Sequence, residues 1–309
     1  MLTFIVNPNS GGERGYKIWR DTERLLKKKQ VQYRAFITNG PGDATAIAEK
    51  VTSGENAGEI TVVAVGGDGT ANEVIDGLHI SENVTMGFIP TGSGNDLAAG
   101  LKLPGTPAGC LKRILHPKEI RRMDYGVLTY GEEGLRHRRF LNSSGAGYDA
   151  AVNVAIRDHS MKRRLAIFGI QKLSYFLCGA AEFMKCQTVK GYVVLDGVKK
   201  VEFNHIFFLS AHIHPTEGGG YRFAPKAEDT DGELTLCIVH SHSRRQIARI
   251  LTSSVFGNHL KYEGVRSYNC RELKVHLEKS IYVHTDGEIC GSQTDFEMRC
   301  IKGKLKFIC

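Results

Sequence analysis

The 309 residues predict an α/β protein in two parts. Residues 1–122 read as a doubly wound α/β domain. Residues 123–295 read as a mostly-β, sandwich-like domain carrying a helical insertion, and the tail, about 296–309, is expected to return to the first part. Three observations carry this. Short apolar runs alternate with stretches of helical spacing up to residue 116, and three of those runs end in glycine-rich turns. From about Met123, strand-like runs crowd together with one helical interruption. Alternation of the first kind builds a parallel sheet covered on both faces, whereas crowded strands build antiparallel layers.

In order, Leu2–Val6 is an apolar strand that stops at Asn7-Pro8-Asn9-Ser10-Gly11-Gly12, and Tyr16–Lys29 follows with amphipathic spacing. Gln32–Thr38 alternates as a strand does. Gly42-Asp43-Ala44-Thr45 opens a helix through about Thr52, with Asp43 near its positive end. Ile60–Val65 is β-branched and apolar throughout, the signature of a strand buried on both faces. It ends in Gly66-Gly67-Asp68-Gly69-Thr70, and Ala71–Leu78 returns to helical spacing. Met86–Ile89 repeats the logic, ending in Pro90-Thr91-Gly92-Ser93-Gly94-Asn95-Asp96.

Glycines at the end of a buried strand let backbone N–H groups approach a ligand, and the following helix points its positive end there. That arrangement suits phosphate. The plain reading of any one of these stretches is a tight turn, since Gly, Asp, Asn and the Asn-Pro and Ser-Gly pairs are ordinary turn residues. Three such turns on the carboxyl edge of one sheet, where open α/β sheets bind ligands, favour phosphate.

In the second part, strands are expected at Gly126–Tyr130, Arg139–Ser143, Gly191–Leu195, Ile206–Ala211, Leu234–Val239, Leu273–Leu277, Ile281–His284 and Lys304–Ile308. The insertion, about Ala150–Lys185, carries Lys162–Arg164 beside Leu165, Ile167, Phe168, Leu173, Phe176 and Leu177. It reads either as a packed helix pair with a basic rim or as an entrance for a lipid. Asp231-Gly232 and Asp286-Gly287 both sit where a hairpin turn would. At the second, Asp286 and Glu288 share a face if the backbone is extended, so one could serve as general base while the other orients it or helps hold a metal.

Composition excludes several classes. Hydrophobic content of 41% and charge of 24% are ordinary for a globular protein. No basic n-region and long apolar core open the chain, and Leu165–Met184 is interrupted by Gln171, Lys172 and Glu182, so neither a secretory signal nor a membrane span is expected. Eight cysteines without a C-x-x-C pair suggest neither a zinc ribbon nor a disulfide framework, and a reduced, cytoplasmic setting fits. Net charge is +8, in clusters at Lys27–Lys29, Arg121-Arg122, Arg136–Arg139 and Lys162–Arg164. Without a nucleic-acid motif, this charge favours an anionic membrane surface over nucleic acid as partner. The P-loop pattern, a G-x-G-x-x-G after a strand and a G-x-S-x-G elbow are all missing. His212-x-His214 and His240-x-His242 offer a metal-binding alternative with no third-ligand pattern.

Gly66–Thr70 with Asn72-Glu73-Val74, and Pro90–Asp96, resemble the diacylglycerol kinase catalytic-domain family, which includes bacterial lipid kinases and the sphingosine and ceramide kinases. The Gly-Gly-Asp-Gly-Thr element is shared with NAD kinases and phosphofructokinases. The Asn7–Gly11 and Gly218–Asp231 patterns point to the lipid-kinase branch. The resemblance implies ATP and Mg²⁺ as cofactors, a lipid substrate met at the inner face of the membrane by peripheral association, and a homo-oligomer as one compatible state. It implies nucleotide contacts at Asn7, Asn9, Ser10, Gly11, Thr38, Gly66, Gly67, Asp68, Gly69, Thr70, Asn72, Ser93 and Asp96. Asp68 would position Mg²⁺, Asp96 would join the acidic network, and Glu288 would be the catalytic base assisted by Asp286. A structural Mg²⁺ is implied at the turn of Glu228, Asp231 and Glu233. His212–Glu217 departs from the family's Asn-Gly-aromatic pattern. An NAD kinase-like enzyme and a membrane-surface module without turnover are the alternatives.

Overall fold

A computed structural model describes residues 1–12, 14–54, 58–92, 94–157 and 179–309. Four parallel strands, β1 (Leu2–Val6), β2 (Tyr33–Ile37), β3 (Ile60–Gly66) and β4 (Val84–Pro90), lie in the order β2-β1-β3-β4. Successive side chains of a strand point to opposite faces, so an unbroken apolar run needs cover on both. Phe4, Val6, Val63 and Val65 meet Trp19 and Leu26 of helix α1 (Arg14–Lys28) on one face. Ile5, Val62 and Ala64 meet Ala44 and Ala48 of α2 (Asp43–Thr52) and Ala71, Val74 and Ile75 of α3 (Asp68–Gly77) on the other. Two further helices complete the layers, α4 (Asp96–Gly100) and α5 (Pro107–Leu115), and Thr106 caps α5 by accepting from the Gly109 N–H at 3.1 Å.

The second part comprises β5 (Ile120–Tyr130), β6 (Arg136–Phe140), β7 (Ser143–Gly147), helix α6 (Tyr148–Arg157), β8 (Val189–Leu195), β9 (Lys199–His212), β10 (Leu234–His240), the helix Arg244–Ser254, β11 (Val265–Cys270), β12 (Glu272–Thr285) and β13 (Glu288–Ile308). Hydrogen bonding runs without interruption along β11-β10-β9-β7-β12-β13-β4-β3-β1-β2. The 21-residue β13 makes this continuity. It pairs antiparallel with β12 and β5, then its end runs parallel to β4 through Lys306↔Thr85 and Phe307↔Met86. Leu305 and Phe307 thereby enter the core of the N-terminal part.

Two local readings differ from the sequence expectation. Leu273–Leu277 and Ile281–His284 form one strand, because a register shift between His276 and Ile281 absorbs the polar interruption without breaking the ladder with β13. The expected strand Arg139–Ser143 divides between β6, which ends at Phe140, and the buried strand β7, which begins at Ser143. Its Ser and Gly residues have weak strand preference, but β9 and β12 bond it from both sides, and placement between two partners outweighs propensity. Of the insertion, α6 and helical residues 179–185 are described; Lys162–Arg164, Leu165, Ile167, Phe168, Leu173, Phe176 and Leu177 lie outside the described residues.

Candidate active site

The three glycine turns meet at the carboxyl edge of β1, β3 and β4. The Asn7 side-chain amide donates to Thr70 Oγ1 at 3.1 Å, tying the first turn to the first turn of α3. Asn7 Oδ1 accepts the Asn9 N–H at 3.1 Å, and Ser10 Oγ lies 2.8 Å from the Asn7 carbonyl and 2.5 Å from Thr91 Oγ1. Gly11 adopts φ +61°, and a Cβ on it would overlap the Thr91 carbonyl oxygen. A Cβ on Gly92 would stand 2.8 Å from the Gly67 Cα, so the second and third turns approach as only glycines can. Thr38, buried at the end of β2, donates its N–H to the Val6 carbonyl and so joins the same edge. No side chain caps the N-terminus of α3.

Four acids converge here from far apart in the chain. Asp68 opens α3, and its carboxylate faces the Asp96 and Leu97 N–H groups at 3.3 and 3.4 Å. Asp96 opens α4 and accepts the Gly219 N–H at 2.8 Å. A Cβ on Gly94 would lie 3.4 Å from Asp68 Oδ2 and 3.7 Å from Asp96 Oδ2, so both carboxylates border one point. Burial, then repulsion from Asp96 and Asp286, pushes Asp68 up to about 7; burial also raises Asp96. From the C-terminal part, Glu288 Oε1 comes within 2.7 Å of where a Cβ on Gly69 would sit, against the start of α3.

Asp286 is held differently. It and Gly287 form the two-residue turn between β12 and β13, with φ +48° and +83° and Thr285 paired to Glu288. The backbone between the two acids is therefore a turn and not extended, so the condition for a shared strand face is not met. Asp286 Oδ1 accepts the Asn142 and Ser143 N–H groups at 2.8 and 2.9 Å, and Oδ2 accepts the Leu141 N–H at 2.8 Å and the Asn72 amide at 2.9 Å. Burial raises its pKa while these four donors favour the carboxylate.

Residues 1–128 match the diacylglycerol kinase catalytic domain. Residues 142–309, more than half the chain, match the YegS C-terminal NAD kinase beta sandwich-like domain. The chain belongs to the family of the YegS C-terminal NAD kinase beta sandwich-like domain, here joined to a diacylglycerol kinase catalytic domain. The candidate lipid kinase YtlR of Bacillus subtilis (strain 168) is 26% identical over 292 residues, spanning 94% of this kinase and 93% of YtlR. A diacylglycerol kinase of Staphylococcus aureus (strain bovine RF122 / ET3-1) is 27% identical over 288 residues, spanning 93% of this kinase and 85% of the relative. The crystal structure of a candidate diacylglycerol kinase from Bacillus anthracis (strain Sterne) shares the fold, with TM-score 0.76, 22% identity and coverage of 99% and 96% of the two chains.

Some expected site residues of this kinase stand elsewhere. Asn72 is fully buried and engaged: its amide donates to the Arg139 carbonyl and to Asp286, each at 2.9 Å, and its Oδ1 accepts Arg138 Nη2 at 2.7 Å. It joins α3 to the C-terminal part rather than facing the crevice with free groups. Ser93 lies outside the described residues. Glu228, Asp231 and Glu233 do not gather into a ligand set: Asp231 Oδ1 accepts the Glu233 N–H at 2.9 Å, and the Lys302 ammonium donates to the Asp231 carbonyl at 3.0 Å. The Lys302 ammonium thus takes up the Asp231 carbonyl, and Asp124 anchors the turn by accepting the Gly232 and Gly303 N–H groups at 2.6 Å. These residues do not suit a magnesium ion, which needs several free oxygens at close range.

Other residues at the site gave weak signals in the sequence. Arg14 donates to the Gly11 carbonyl at 2.9 Å and reaches the Gly92 carbonyl at 3.4 Å; its place just after a glycine turn was the available signal. Gly219, within the Gly218–Gly220 pattern, reaches Asp96 only through the fold. Neither His-x-His pair gathers a metal set. Among the described residues, three metal-capable side chains come within 4.8 Å of one another only at Asp149, Glu217 and His284. No helix among the described residues is long and apolar enough to cross a membrane.

Proposed function

We propose that this kinase transfers the γ-phosphoryl group of ATP to a lipid hydroxyl, with diacylglycerol the favoured acceptor. The observation that carries this reading is the arrival of Glu288 against Gly69, which sets a carboxylate from the C-terminal part beside the helix that Asp68 opens. Phosphoryl transfer is chiefly positioning and charge neutralisation, and the crevice supplies both. The glycine turns offer backbone N–H groups for the phosphates of ATP, helped by the uncapped start of α3 and by the Arg14 guanidinium. Asp68 and Asp96 fit Mg²⁺: they are hard oxygen donors whose pKa values are raised by burial, with repulsion from Asp96 and Asp286 added at Asp68 and from Glu217 at Asp96, and a divalent cation relieves this. Bound there, the ion would draw charge from the phosphate oxygens during transfer.

Glu288 accepts the proton of the attacking hydroxyl, and Asp286 holds the turn that carries Glu288. The basic clusters would bring the kinase to an anionic, cytoplasmic membrane surface where the acceptor is found. The test is a phosphorylation assay with ATP, Mg²⁺ and a panel of acceptors in mixed micelles, with NAD as a soluble control. Lipid phosphorylation falling by about 10²–10⁴-fold in Glu288→Gln supports the reading. Phosphorylation of NAD with no lipid turnover would overturn it, as would a fully active Glu288→Gln.

A further inference from the structure

The segment His212–Glu217, which departs from the family pattern, has a physical account in a buried cluster adjoining the Asp286 turn. Glu217 lies in the loop beyond the end of β9, Asp149 is in the first turn of α6, and His284 lies in β12, two residues before Asp286. His284 is fully buried. Its Nε2 stands 3.2 Å from Asp149 Oδ2 and 3.1 Å from Glu217 Oε1. Its Nδ1 lies 3.1 Å from the Gly287 backbone nitrogen, whose N–H donates to it. His212 backs the cluster, with Nε2 at 2.8 Å from Ser210 Oγ and 3.6 Å from Glu217 Oε2.

These contacts fix the tautomer. An imidazole nitrogen that accepts an N–H carries no proton, so the ring proton sits on Nε2, where two carboxylates receive it. The same deduction argues against a metal in the cluster. A cation at Nε2 needs the lone pair there, and Gly287 would then have to give up Nδ1 to the proton. Burial by itself lowers the His284 pKa, yet Glu217 and Asp149 together raise it well above its ordinary value, and burial pushes the Asp149 carboxyl up. The Gly287 N–H aimed at Nδ1 opposes a second ring proton there, so the added proton is shared between Nε2 and the carboxylates.

We propose that His284 is a positioning residue for the phosphoryl-transfer reaction: its Nδ1, aligned by Asp149 and Glu217, holds the Gly287 amide and so aims Glu288 at the start of α3. The Asp286 carboxylate and the Asp286 N–H, which donates to the Ser143 carbonyl at 2.8 Å, fix the first half of the turn. Gly287 comes next, and glycine by itself has wide freedom in φ and ψ. The bond to His284 removes that freedom one residue before Glu288. Glu217 adds a second link. It brackets the Gly218–Gly220 turn by exchanging both backbone hydrogen bonds with Tyr221, and the Gly219 N–H in that turn meets Asp96. One buried ring therefore sets the acid hairpin and the glycine turn opposite it in register.

The proposal rests on the reading of Glu288 as base, and the experiment separates the two. In His284→Asn, the side-chain oxygen lies near the former Nδ1 and can still accept the Gly287 N–H, while the bonds to Asp149 and Glu217 are lost. In His284→Gln, the amide can reach the carboxylates, but the acceptor beside Gly287 is lost. Steady-state kinetics with diacylglycerol micelles should show kcat reduced at least about tenfold in the Gln variant with KM for ATP little changed. The Asn variant should keep kcat within about threefold even though its Tm falls further, because it strands two buried carboxylates. Equal loss in both variants, or unchanged kcat in the Gln variant, overturns the positioning role. If Glu288→Gln is itself fully active, the base assignment fails instead. Two measurements need no turnover. Amide exchange at Gly287 should speed up in the Gln variant and not in the Asn variant. In the unmodified protein, nitrogen NMR should show His284 Nδ1 without a proton; a protonated Nδ1 refutes the proposal even where a variant fails to fold.

Discussion

Replacing Asp286 by Asn separates an anchoring carboxylate from a reacting one. Asn tolerates the left-handed backbone at this position of a two-residue hairpin, so φ +48° costs the variant little. The side chain is another matter. Asp286 receives four N–H groups on two oxygens. An amide has one oxygen, which can keep the Asn142 and Ser143 donors, and its NH₂ then confronts the Leu141 N–H and the Asn72 amide. Two buried donors lose their acceptor at about 1–3 kcal/mol each, or about 2–6 kcal/mol together. At about 2 °C per kcal/mol for a chain of this size, Tm should fall by about 4–12 °C. The Glu288 carboxylate moves with the turn, and displacement on the order of 1 Å costs on the order of 100-fold in kcat. Differential scanning fluorimetry and initial-rate kinetics on the same preparation read both. Loss of kcat with an unchanged Tm would refute the anchoring account and return Asp286 to direct chemistry.

Further outcomes follow from the same geometry. With Asp68 raised to about 7, Mg²⁺ must displace a proton below that pH, so its apparent affinity should fall about tenfold per pH unit below 7 and level off above; Mg²⁺ titrations of turnover at pH 6 and 8 check this, and equal midpoints contradict it. The sign for stability is opposite to that of a salt-bridged acid: a carboxyl whose folded pKa is raised holds its proton in the native state, so its contribution in metal-free protein should fall as pH rises from the ordinary carboxylate range towards 7, as Tm measured in chelator will report. Gly11→Ala forces a side chain against the Thr91 carbonyl at φ +61°, and KM for ATP should rise by at least about tenfold, read by rates at varied ATP. Asp231→Asn should leave the Mg²⁺ midpoint within about twofold, since the carboxylates of that turn do not gather and Lys302 takes up the Asp231 carbonyl; a tenfold shift would reinstate the turn as a metal site.

The sequence by itself determined what short-range physics determines. Leu2–Val6 is a strand residue for residue, Ile60–Val65 needs cover on both faces, and each glycine turn after a buried strand announces a close backbone approach. These follow from side-chain periodicity and from which residues tolerate a given φ, neither of which needs the rest of the chain. Only the tertiary structure decided where donors and acceptors meet. Asp286 and Glu288, two apart, are divided by a turn rather than set along a strand, and amides from residues 141–143 claim the first of them. Asn72 looked like part of a phosphate motif, yet its hydrogen bonds are spent on Arg138, Arg139 and Asp286. Asp149, Glu217 and His284 carried no common signal, being separated by more than sixty residues at each step. A hydrogen bond depends on atoms within about 3 Å of one another, and sequence spacing carries that information only inside a helix, a strand or a turn.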